Sequence, residues 1–273
     1  VDMSSYLSVP VEVDRSNLAT ALAVGFFGRY VVQKCLSWLL QYVHLTGKNG
    51  RLVQQRLTRV VIGLLTGIAC PVCVVLNPLV RVGMFPAASL ELLWLLRFML
   101  GYLASDTVEI LYATWRYSCP KQADLIFHHF VAWYAFAGVY GAVAETASGQ
   151  FYFGVSMIGE LLTVFTGSTF LFTALPEERR PKRLLKICAG LRLRFIECIR
   201  LPLWIFLCGK ASYHAFLLDS RTGLSAFGET KWDIARLYSL VVCACCMDIY
   251  WSRMLRTARK AAQVSGRQLV EVG

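Results

Sequence analysis

The stretch DLIFHHFVAWYAF, residues 124–136, decides the fold, because Phe127-His128-His129 opens an apolar run that continues to Val143 and is long enough to cross a membrane. A spanning helix needs about 20 mostly apolar residues, and ionisable groups at that depth are costly enough to read as functional by default. Two adjacent imidazoles inside such a run therefore demand polar partners from neighbouring helices.

The composition carries the same message. Of 273 residues 56% are hydrophobic and 16% charged, with mean hydropathy +0.52, well above the apolar share of a soluble domain. A net charge of +11 and a pI near 9.3 would suit nucleic acid, but the basic residues collect in short connections between apolar runs rather than along one solvated face. They serve topology and contact with anionic lipid instead. The ten cysteines are scattered through apolar segments and form no disulfide framework. Cys70-Pro71-Val72-Cys73 has redox or metal spacing, yet it lies in an apolar run without a second pair and reads as membrane-helix packing. The N-terminal residues hold Asp2, Glu12 and Asp14 rather than a basic leader, so the first apolar run is expected to remain as an anchor.

Seven stretches qualify as crossings: Asn17 to Val43, Leu57 to Val80, Ser89 to Trp115, Leu125 to Val143, Phe151 to Leu175, Ile187 to Gly209 and Trp232 to Leu255. The expectation is an all-α, polytopic membrane helical bundle, one N-terminal helix ahead of a six-helix core. Lys48, Arg51, Arg56 and Arg59 in the first connection, Arg116 and Lys121 in the third, Arg179 to Lys186 in the fifth and Arg253 to Lys260 at the end outweigh the basic residues on the other side. That alternation predicts a luminal N-terminus and a cytosolic C-terminus. The resulting organisation is a short extracytosolic N-terminus (1–16), a first transmembrane helix (17–43), one membrane domain (51–260) and a cytosolic tail (261–273).

On this topology His128, His129, Asp106 and Asp248 share the cytosolic half of the membrane, while Glu160 and Arg200 come near its middle. Asp106 and Glu109 are three apart and face one seam. Glu160 and Arg200 read as natural partners, since each alone would cost about 2.5–3.5 kcal/mol on insertion scales; Glu197, three residues before Arg200, competes as a local pair. Adjacent helical residues point about 100° apart, so only one histidine reaches a site shared with Asp106 and the other meets a neighbouring helix. This argues against a metal centre, and no metal is expected. It favours a histidine oriented by a carboxylate, as in general-base or nucleophilic chemistry. Glu197 and Arg97 read as helix-to-helix contacts, Trp133, Tyr134 and Phe136 as packing or acyl-chain wall, and Pro202 as a kink.

At these residues the chain resembles the TLC-domain family, which includes the ceramide synthases, and it is most similar to the small TLC-domain proteins of lipid homeostasis. The likeness lies in GYLASDTVEILY around Asp106, the His128-His129 segment, GELLTVFTGSTFLF with Glu160, IRLPLW with Arg200 and CCMDIYW with Asp248. The resemblance implies six core crossings around an acyl-chain cavity, an endoplasmic reticulum address, and, in the enzymes, N-acyl transfer from acyl-CoA to a sphingoid base. It makes His128, His129 and Asp106 the catalytic candidates and Glu109, Glu160, Arg200 and Asp248 the substrate-binding ones. Acyl-CoA is then a co-substrate guided by Arg51, Arg56 and Lys121; no cofactor is expected. Expected partners are membrane lipid, acyl-CoA and a sphingoid base, with a homodimer open and no nucleic acid. The chain carries Val164, Gly167 and Thr169 where small relatives carry proline, asparagine and arginine, and Ile62 near an expected histidine. Those departures leave a non-catalytic lipid-binding regulator or cargo receptor as the alternative. A transporter fits less well, since no inverted repeat is evident.

Overall fold

The structure is a computed structural model that describes residues 15–42, 47–77, 89–117, 122–137, 147–175, 177–225 and 229–264. Seven helices account for nearly all of them. They are α1 (Arg15–Tyr42), α2 (Gly47–Leu76), α3 (Leu90–Tyr117), α4 (Ala123–Ala137), a composite α5 (Ala147–Ser156, a tight turn Met157–Leu161, then Leu162–Ala174), a composite α6 (Lys182–Phe195, a wide turn Ile196–Arg200, then Leu201–Phe216) and α7 (Lys231–Val264). Each predicted crossing coincides with one helix.

Packing places α2, α3, α4, α7, α6 and α5 in contact in that cyclic order, closing a six-helix ring, with α1 outside it against α3 and α2. The apolar core lines the ring. Ile62, Leu96, Leu100, Val131, Phe153 and Leu240 join α2, α3, α4, α5 and α7, and Tyr152, Trp204, Leu207, Leu237 and Val241 join α5, α6 and α7. The outer surface is apolar as well. Phe27, Trp38, Leu65, Trp115, Phe130 and Phe216 are exposed, an apolar belt that suits lipid rather than water.

Among the described residues three helical segments, Gly50–Leu76, Gly149–Thr173 and Lys231–Lys260, are by themselves long and apolar enough to cross a membrane. The α1 and α3 helices carry Arg29, Asp106 and Glu109 along their lengths, so their stability in lipid depends on the partners described below.

A close seam joins α2 to α5. Gly63 and Gly67 are spaced as a small-xxx-small pair, a pattern that lets helix backbones approach closely. A Cβ at Gly63 would fall 2.2 Å from Thr163 Oγ1 and 2.8 Å from the Glu160 carbonyl oxygen. The absence of a side chain there thus sets the position of the Glu160 turn.

Two departures from regular helix matter for the site. Glu160 lies on the tight 3-10 turn of α5, and Arg200 closes the wide π turn of α6, where the Leu201 N–H donates to the Ile196 carbonyl. Pro202 follows directly. The predicted proline kink is thus a widened turn just ahead of the proline, which lacks the N–H to continue the regular ladder. The start of α7 is fixed by a reciprocal capping box. Thr230 Oγ1 accepts from the Asp233 N–H at 3.2 Å and Asp233 Oδ2 accepts from the Thr230 N–H at 3.1 Å.

The connections differ from the sequence expectation at two points. Arg51, Arg56 and Arg59, assigned to the first loop, all lie within α2, and the segment assigned to the cytosolic tail begins inside α7, which runs to Val264. A polar stretch of helix that continues into an apolar crossing looks the same in a linear sequence as a loop. Glu145, Arg81 and Lys121 lie outside the described residues. The nine described cysteines are free thiols, Cys70 and Cys73 included.

Candidate functional site: a histidine pair between two charged lobes

The histidines diverge as adjacent residues on one helix must, their ring centroids 6.0 Å apart and the planes tilted by 54°. His129 turns toward α3. Its Nδ1 lies 3.0 Å from Thr107 Oγ1 and its Nε2 3.7 Å from Asp106 Oδ2. Because the single Thr107 hydroxyl proton is given to the Leu103 carbonyl at 2.8 Å, Thr107 Oγ1 is left to accept, which makes His129 Nδ1 the donor. His128 turns the other way, placing Nε2 3.8 Å from Glu160 Oε1 on α5. The His128 side chain retains 19% exposure against 6% for His129. His128 is the open imidazole and His129 the fixed one.

Asp106 is fully buried, but its strongest contact is with an arginine. Arg59 Nε donates to Asp106 Oδ2 at 2.8 Å, and Arg59 Nη1 donates to Gln122 Oε1 at 2.8 Å. Arg29, reaching in from α1, brings Nη2 to 3.7 Å from Asp106 Oδ1 and Nη1 to 3.8 Å from Glu109 Oε2. Glu109 is also ion-paired with Arg51 and accepts from Gln55 Nε2 at 3.2 Å. The seam expected of Asp106 and Glu109 is thus real, with Glu109 held by arginines and a glutamine. This first lobe, between α1, α2 and α3, holds three guanidinium groups against two carboxylates.

The second lobe lies between α5, α6 and α7. Asp248, also fully buried, accepts from the Trp204 indole N–H at 2.7 Å and pairs with Arg200 Nε at 3.1 Å. The Arg200 guanidinium lies over the Trp204 and Trp251 rings at 5.7 and 5.8 Å, within range for cation–π attraction. A Cβ at Gly159 would stand 3.2 Å from Trp204 Cζ2 and 3.5 Å from Arg200 Nε, so the residue beside Glu160 keeps the acidic turn close to Arg200.

Both expected pairings of Arg200 are therefore corrected. Arg200 pairs with Asp248 instead of Glu160, and Glu197 turns away to accept from Ser252 Oγ and Arg256 Nε, both at 2.7 Å. The wide turn supplies the reason. It breaks the three-residue spacing that would align Glu197 with Arg200 on one regular helical face. Trp133 packs in the wall as expected, its indole N–H given to the Leu100 carbonyl at 3.2 Å. Among the described residues no three His, Cys, Asp or Glu side chains converge on a metal site.

Sequence reasoning missed Arg29, Gln55, Arg59, Thr107 and Gln122. The signal for Arg29 was available, since an arginine in the middle of an apolar run needs a buried partner. Ile62, where the resemblance leads one to expect a histidine, is buried in the apolar core. Gly167 also has a packing reason, since a Cβ there would fall 2.1 Å from Val60 Cγ2.

A six-helix ring with an appended helix, apolar outside and charged within, defines a polytopic helical membrane protein. The TLC domain family model matches residues 52–256, three-quarters of the chain, and the chain belongs to that family. Membership, with the long apolar helices, makes it a membrane protein of the lipid-related TLC group. No curated protein and no solved structure matches the chain significantly.

Proposed function

We propose that the protein is a histidine-dependent lipid acyltransferase of ceramide-synthase type. The observation that carries the reading is the placement of the more open imidazole, His128, opposite Glu160, while His129 is fixed through Thr107. Acyl transfer needs a nitrogen that either attacks a thioester carbonyl, expelling the thiol, or takes the proton of the attacking amine. His128 has the access for either task. Glu160 stabilises the positive charge that develops on it, and the surrounding apolar wall excludes the water that would hydrolyse the donor. Acyl-CoA and a sphingoid base are the proposed substrates. The endoplasmic reticulum, with the N-terminus luminal and the C-terminus cytosolic, is the proposed setting.

One observation favours a second reading. Asp106 is bound by Arg59 and not hydrogen-bonded to His129, which suits a rigid lipid-binding regulator or cargo receptor as well as an enzyme. A lipid profile of cells lacking the protein, rescued with wild type or with a His128→Ala, His129→Ala variant of equal abundance and location, separates the two. Rescue of a depleted lipid class by wild type alone supports chemistry. Equal rescue by both removes the acyltransferase reading.

A further inference from the structure

The first lobe does not balance its own charge. Arg29, Arg51 and Arg59 face Asp106 and Glu109, leaving one positive charge in excess, and Arg29 and Arg59 are 5% and 6% exposed. Excess charge so removed from water is costly unless an opposite charge meets it. Several donors in the same lobe also lack a hydrogen-bond partner. They are Arg29 Nε and Nη2, Arg59 Nη2, Arg51 Nε and Gln33 Nε2, beside two acceptors, Asp106 Oδ1 and Gln55 Oε1, that also lack one; Arg29 Nη2 keeps only its ion pair with Asp106 Oδ1 at 3.7 Å. The Nε and Nη2 atoms of Arg29 form one edge of its guanidinium, the fork that binds two oxygens of a single carboxylate or phosphate.

We infer that this lobe between α1, α2 and α3 is an anion-binding site that takes a phosphoryl group. The donors without a hydrogen bond come from three arginines and a glutamine on two helices, which suits the several oxygens of a phosphate better than a planar carboxylate. Arg51, whose side chain is 26% exposed, marks the approach; Arg29 and Arg59 lie deeper. Arg29, Gln33 and Arg51 precede the residues that the family model matches, so the site is a property of this chain and its first helix. It does not require the histidines to act, and it stands or falls apart from the proposed acyl transfer. The phosphoryl group belongs either to a phospholipid headgroup or to a soluble phosphate.

The test uses the full chain in phosphatidylcholine nanodiscs, with wild type compared with Arg29→Gln, Arg51→Gln and Glu109→Gln. One arm measures enrichment of phosphatidic acid over phosphatidylcholine by lipid mass spectrometry, and the other measures inorganic pyrophosphate binding by calorimetry. The expected result is binding in at least one arm, weakened about tenfold by loss of an arginine charge and strengthened by Glu109→Gln, since hydrogen bonds to charged groups carry energies of that order. A response in the lipid arm alone identifies a membrane phospholipid, and one in the pyrophosphate arm alone a soluble ligand. If Arg29→Gln does not fold, Arg51→Gln and the opposite sign expected for Glu109→Gln still decide. No binding by folded wild type in either arm, or binding indifferent to all three substitutions, overturns the inference.

Discussion

His128 Nε2 stands 3.8 Å from Glu160 Oε1, and the backbone that carries Glu160 is packed against a glycine of α2. Glu160 sits on a 3-10 turn whose carbonyl oxygen lies against Gly63 of α2. The distance between base and carboxylate is therefore coupled to a glycine with no chemistry of its own. Gly63→Ala should push the turn away, because its new methyl would lie 2.8 Å from the Glu160 carbonyl oxygen. Overpacking of this kind costs about 1–3 kcal/mol. We expect a lower melting temperature together with impaired lipid rescue, checked by thermal unfolding in detergent beside the cellular assay.

Asp106 holds two arginines, and its loss should be felt as stranded positive charge. Asp106→Ala leaves Arg59 and Arg29 without their shared carboxylate, a change expected to cost about 3–5 kcal/mol. The double variant Asp106→Leu, Arg59→Met should recover part of that loss, since it removes the charge along with its partner. Unfolding of the single and double variants checks this; equal destabilisation by both would rule out an energetic ion pair.

Trp204→Phe keeps a ring beside Arg200 but removes the indole N–H that donates to Asp248 at 2.7 Å. A hydrogen bond to a charged group is worth about 1.5–3 kcal/mol, and the loss should appear in thermal unfolding. Trp251→Phe, which removes no described hydrogen bond to Asp248, should cost less.

The apolar periodicity that marks crossings made the helices legible in the sequence, and each of the seven expected stretches coincides with a helix. The acidic and imidazole residues of the interior were legible for a related reason, because a charge within an apolar run stands out. Their pairing was not. Arg59 lies in the polar N-terminal part of α2, well inside the helix, and the rule that assigns basic residues ahead of an apolar run to topology obscured its bond to Asp106. The exchange of partners at Arg200 depends on one wide turn, which shifts the helical phase without altering composition. Pro202 marks a break in the sequence, but a linear pattern with a fixed period does not show how far the turn ahead of it shifts the helical phase. The partners of Glu109 were hidden similarly, since Arg29 reaches it from a helix outside the ring.

The central claim is the division of labour within the histidine pair, and acyl transfer by the purified full chain in nanodiscs tests it most directly, with an isotopically labelled acyl thioester and a sphingoid amine. His128→Ala should reduce the transfer rate by about 10²–10⁴, the range of a lost acid–base group, while Thr107→Val, which touches only the support of His129, should reduce it far less. Transfer by His128→Ala at the wild-type rate, or no transfer by correctly folded wild type, would contradict the account.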